Sequence, residues 1–114
     1  MTAFRALMAV MFVVLTVYTV IVGMNHGWNL IPVFFDDMMK MAWPGQFNLD
    51  FMGFLVLSAL WVSWRHHFTP GGLGLGVLAF FGGIMFLSVY LFVVAGQASG
   101  DVKELLLGKR RASA

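Results

Sequence analysis

Three long stretches without a charged residue, at about 6–24, 51–64 and 68–100, fill most of this 114-residue chain. The hydrocarbon core of a bilayer is about 30 Å thick, so a spanning helix needs about 20 apolar residues. The first and third stretches reach that length, and the second reaches it with its flanks. Lipid offers no partner to a bare peptide N–H or C=O, so a stretch immersed in it must satisfy its backbone internally as a helix. The expectation is an all-α integral membrane protein with three transmembrane helices in a single domain.

Composition agrees. Hydrophobic residues make up 61 % of the chain and charged ones 11 %, against about 45–50 % and 25 % in a soluble domain. The formal net charge of +2 is too small to suggest nucleic acid as a partner. The chain has no cysteine, which excludes disulfides and thiolate metal sites. Arg5 gives a basic start, but the apolar run after it exceeds the ~7–15 residues of a signal-peptide core, and no A-x-A-like site follows. A retained first helix over about 4–24 is expected.

Pro32 opens a short segment, 32–43, in which Asp36, Asp37 and Lys40 share one arc at helical spacing while Phe34, Phe35, Met38, Met39, Met41 and Trp43 fill the rest. That pattern predicts an interfacial helix with its charged arc toward water, supported by an Asp36–Lys40 pair one turn apart and stopped by Pro44-Gly45. The second spanning helix is expected over about 47–67, capped by Asn48. Only fourteen uncharged residues separate Asp50 from Arg65, so Arg65 would snorkel to the interface. Thr69-Pro70 predicts the cap and first turn of a third helix over about 70–96, followed by a polar tail, 97–114. Gly72, Gly76, Ala79 and Gly83 recur every three or four residues and form a small-residue stripe for close helix packing, within the chain or between copies.

Three crossings place the tail and the 32–43 segment on one side and the N-terminus with the Arg65 loop on the other. The charge near the first helix favours an inside N-terminus, whereas the tail carries more Lys and Arg and argues the opposite. The expectation adopted is N-terminus inside.

Few residues offer chemistry. Asp50 within a span is the sharpest candidate, although a carboxylate near a helix start is also stabilised by unpaired N–H groups. With three crossings, His26, Asn48, Asp50 and Gln97 would lie at similar depth, with Tyr90 one to two turns deeper. A shared polar pocket would then have Asp50 as its anion and His26 as its proton partner; helix capping and interhelical hydrogen bonds are the plainer reading. His66-His67 point about 100° apart on a helix and form no metal set. The nine methionines suit packing better than soft-metal binding. Ser58 and Ser63 lack a base. No metal, no cofactor and no enzymatic activity are expected.

Val33-Phe34-Phe35, Phe47-Asn48-Leu49-Asp50-Phe51, Leu57-Ser58-Ala59-Leu60-Trp61 and the 80–92 helix carry a family likeness. In these segments the chain resembles the domain-of-unknown-function 2834 family of three-helix bacterial membrane proteins, over about two-thirds of its length. Asp50, followed by Ser58-Ala59, is the most specific element. Family members often have a more basic second loop than Arg65-His66-His67. The resemblance implies a three-helix fold in a bacterial cytoplasmic membrane and no particular activity. Two functions compete: a non-enzymatic accessory or structural component that packs with itself or with a larger membrane complex, and a small oligomeric transporter or ligand-binding protein built around Asp50.

Overall fold

A computed structural model describes residues 2–113, and among them there are helices and no strands. The order is α1 (Thr2–His26), α2 (Leu30–Met39), α3 (Trp43–Arg65), α4 (Pro70–Ala98), α5 (Val102–Leu107) and α6 (Lys109–Ala112). Counted by length and composition alone, α1, α3 and α4 each have enough apolar residues to cross a bilayer.

The local starts follow from side chains. Thr69 caps α4, its Oγ accepting from the Gly72 N–H at 3.1 Å, with Pro70 in the first turn. Asp101 caps α5 by accepting from the N–H groups of Lys103 and Glu104. α3 departs from expectation. Pro44 lies in its first turn and opens the helix that it was expected to precede, because a first-turn proline loses no helical hydrogen bond. Asn48 is therefore one turn inside the helix and caps nothing; its Nδ2 donates to the Phe34 carbonyl at 3.1 Å and ties α3 to α2. Gly45 is buried at the same contact, where a Cβ would run into the backbone of Asp37 and Met38. On α2, Lys40 lies 3.9 Å from Asp37, three residues away, in place of the expected Asp36 pairing.

The main departure is in α4. Gly83 has φ 55° and ψ −139°, outside the helical region. Before it, α4 runs antiparallel to α3. Gly72 faces His66, Gly76 faces Ser63 and Ala59, and Gly83 faces Phe51 and Leu55. After it, the chain comes back. Tyr90 reaches Arg65 and His66, and the Phe92 carbonyl accepts from Arg5 Nε at 3.0 Å, near the start of α1. The two halves of α4, residues 70–82 and 84–98, thus form an antiparallel hairpin with its tip at Gly82-Gly83. At 1.5 Å per residue each half is only about 20–22 Å long.

This reversal corrects the expected topology. α4 returns the tail to the Arg65 end: Arg65 Nε donates to the Leu105 carbonyl at 2.8 Å, Trp61 Nε1 to that of Leu106 at 3.0 Å, and Arg111 to that of Trp64. The tail does not join α2 at the opposite end. The hairpin lies between α1 and α3, which make almost no contact with each other. Its buried core joins Val62, Ala79, Tyr90, Val94, Ala95, Ala98 and Leu105, with Trp61, Phe86 and Phe4 packed around it. Gly72, Gly76 and Ala79 are buried against α3, so that part of the small-residue stripe packs within the chain. Gly83 serves a different purpose, since it provides the reversal.

Candidate functional site

The polar pocket expected around Asp50 is not assembled. Asp50 is exposed on α3, and His26 is exposed at the far end of α1. Asn48 is committed to α2. Tyr90 and Gln97 lie at the other end of the molecule, carried there by the return of α4. The 500 Å³ hollow at the Asp50 end is bounded by apolar side chains such as Met38, Trp43 and Leu49, and Asp50 does not line it. Among the described residues no group of three or more His, Asp or Glu could hold a metal ion.

The polar centre of the fold is instead built around Arg65, at the last residue of α3. Its position after an apolar helix and before a tight loop leaves the side chain directed along the bundle end, where the returned tail meets it. A guanidinium has five N–H donors. Here Nε donates to the Leu105 carbonyl at 2.8 Å, Nη2 to the Glu104 carbonyl at 3.4 Å and Nη1 to the Tyr90 hydroxyl at 3.1 Å. Both carbonyls belong to the last turn of α5, where a helix favours a cation, and that of Glu104 also accepts from the Gly108 N–H.

Tyr90 passes the network on. Its hydroxyl lies 2.7 Å from His66 Nε2. Partial burial, with the charges of Arg65 and His67, pushes the His66 ring below its usual titration range. In the tautomer protonated at Nδ1, the His66 Nε2 accepts the Tyr90 proton while the phenol oxygen accepts from Arg65. Trp61 packs edge-on to Tyr90 with centroids 6.0 Å apart, and Phe86 stacks on it at 5.9 Å. His67 is likewise held low, by desolvation and by Arg111 and Arg110. Arg111 sits 3.9 Å over the Trp64 ring.

Beside this network a 580 Å³ cleft opens, with Arg65, His66, His67, Thr69, Gln97, Glu104 and Lys109 in its walls. The return of α4 also sorts the charges. Six of the seven Lys and Arg residues, Arg5, Arg65, Lys103, Lys109, Arg110 and Arg111, gather at this end, leaving Lys40 alone at the other. Of the five acids, Asp36, Asp37 and Asp50 lie at the Lys40 end, and Asp101 and Glu104 at the Arg65 end.

The sequence places the Arg65 loop and the polar tail, 97–114, on opposite sides when α4 is straight. The signal that linked them was Gly82-Gly83, a dipeptide typical of turns, set in the middle of an apolar stretch. No protein-family model matches the chain, and neither the curated proteins nor the solved structures compared with it give a match.

Proposed function

We propose that this chain is a small integral membrane protein with a non-enzymatic accessory or structural role, packing against itself or a larger membrane complex. α1 and α3 cross the bilayer, and α4 dips into it and returns to the face it entered. Neither half of α4 is as long as the hydrocarbon core is thick, yet both are apolar, which suits a re-entrant pair packed between two spanning helices.

One observation carries the reading: an apolar helical body with a cation-rich polar end, opposite a smaller, mainly acidic one. Along α1 and α3 large side chains such as Val13, Val17, Ile21, Phe54, Leu57 and Leu60 are exposed. Such a surface is costly in water and ordinary in lipid. The charge sorting supports an orientation as well. Six of the seven Lys and Arg residues at one end satisfy the positive-inside bias, which argues for both the N-terminus and the tail inside. The contest between the N-terminal and tail charges disappears once both lie on one face. A place in a bacterial cytoplasmic membrane is what the resemblance to the domain-of-unknown-function 2834 family would imply; the resemblance adds no activity.

The transporter reading around Asp50 is weakened by the separation of its residues. Crosslinking in native membranes tests the accessory role. A stable neighbour, either a second copy or a larger subunit, is expected; a monomer without neighbours at native expression would reject it. Cysteine labelling at each end tests the topology, since both ends should react from the same face.

A further inference from the structure

The cleft at the Arg65 end holds more positive charge than the fold itself uses. Among the described residues the one ion pair is Lys40–Asp37, at the opposite end. Arg65, Lys103, Lys109, Arg110 and Arg111 therefore have no carboxylate of a described residue within salt-bridge distance. Arg65 is half-buried and its partners are neutral: two carbonyls and a phenol. A partly desolvated guanidinium without an anion is an expensive arrangement, and two of its five N–H groups are still free to donate.

The cleft walls add donors suited to an oxyanion. Lys109 supplies an ammonium, Gln97 an amide and His67 a ring N–H, while the Thr69 hydroxyl is already donated to the His66 carbonyl. Glu104 is the one acid in the wall. Against its one carboxylate stand Arg65 and Lys109, so the cations in the cleft wall outnumber the anions two to one. The cleft also adjoins apolar surface. Trp61, Leu87, Leu91, Val102, Leu105 and Leu106 enclose a second hollow of 580 Å³ that is almost wholly nonpolar. Leu105 and Glu104, neighbours on α5, face the two hollows, so an anionic group and a hydrocarbon chain could be held side by side.

We infer that this end of the molecule binds the phosphate of an anionic phospholipid, with the headgroup in the Arg65–Lys109 cleft and an acyl chain along the Trp61–Leu106 hollow. The inference rests on the membrane reading above and deepens it. A fork of guanidinium N–H groups matches phosphate oxygens, and the basic end lies at the depth where headgroups occur. Free inorganic phosphate shares the charge but not the chain, so the apolar hollow favours the lipid.

The test uses the full-length protein in vesicles of phosphatidylcholine, alone or mixed with phosphatidylglycerol. Flotation with the vesicles reports insertion, and native mass spectrometry after detergent release counts retained lipid. Selective retention of phosphatidylglycerol is expected. Lys109→Gln should lower it about fivefold, the effect of one surface cation near an anionic headgroup, with helicity unchanged. Arg65→Lys, which keeps the charge but loses the fork, should lower it further. Equal retention of both lipids by a protein that floats would overturn the lipid site and leave the membrane reading intact; failure to float would overturn both. Complete displacement of phosphatidylglycerol by inorganic phosphate would also overturn the lipid assignment, making the cleft a soluble-anion site.

Discussion

Gly83→Ala is the most incisive perturbation, because the topology turns on that residue. Its φ of 55° with ψ of −139° is a conformation in which a side chain costs about 1–3 kcal/mol. A Cβ there would also stand 3.1 Å from Phe51 Cζ and 3.6 Å from Leu55 Cδ2, so the ring must yield slightly. The alanine reduces the entropy of the unfolded chain by about 0.4–1 kcal/mol, which offsets part of the loss. The net expectation is a destabilisation of about 1 kcal/mol. Straightening α4 would relieve it, since 29 helical residues reach about 43 Å. That escape would break three hydrogen bonds from Arg65 and one from Trp61. Bonds to a charged group contribute about 1.5–3 kcal/mol each, even before a basic tail is carried through lipid. The hairpin should therefore survive, weakened. Two measurements check this: reversible unfolding in mixed detergent followed by circular dichroism, and labelling of Ser113→Cys in sealed vesicles with an impermeant maleimide. The chain has no other cysteine to interfere. Gly53→Ala, with open space around its Cβ, is the control and should be neutral or stabilising, as a mid-helix glycine replacement usually is. If Gly83→Ala matched or exceeded the wild type in stability, or if position 113 reacted from the face opposite the N-terminus, the reversal would be wrong.

Gly76→Ala should destabilise the same unfolding transition by about 1–3 kcal/mol through overpacking, since its Cβ would meet Ser63 Oγ and stand 3.0 Å from the Ala59 carbonyl. Tyr90→Phe removes the hydroxyl shared by Arg65 and His66 and should cost about 1.5–3 kcal/mol in that assay; an unchanged midpoint would contradict the network. Stability should depend on pH through His66 and His67, both held below the ordinary value of 6.5. A ring whose folded value is depressed stabilises fully above its unfolded value, and that contribution is lost as pH falls through the folded one. Unfolding midpoints at pH 7.5 and 5 should therefore differ, with the acid sample weaker, and His66→Gln with His67→Gln should flatten the profile. Asp50→Asn should leave insertion and stability unchanged within about 0.5 kcal/mol, because the carboxylate is exposed and unpaired.

Much of the helical content is legible in the residues. The apolar runs mark α1, α3 and α4, and Thr69-Pro70 marks the start of α4, because capping and hydropathy are local properties. Pro44 is harder to interpret, since proline both ends one helix and begins the next, and only the contact between Gly45 and α2 decides between them. The candidate site was illegible for a topological reason. Gln97 shares the depth of Asp50 and His26, with Tyr90 one to two turns deeper, only if α4 is straight. One torsion at Gly83 moves Tyr90 and Gln97 to the far end and brings them to Arg65, a residue that hydropathy alone treats as a flank. Hydrophobicity reports the solvent of a segment and says nothing of its direction.

In a bilayer, parity follows from the Gly82-Gly83 tip. An odd number of passages sends the two ends of a polypeptide to different compartments, and an even number sends them to the same one. On the membrane reading proposed above, the compartment seen by Lys109, Arg110 and Arg111 would be decided by the backbone of Gly83, a half-buried residue with no side chain. Anything joined beyond residue 113 would inherit that address.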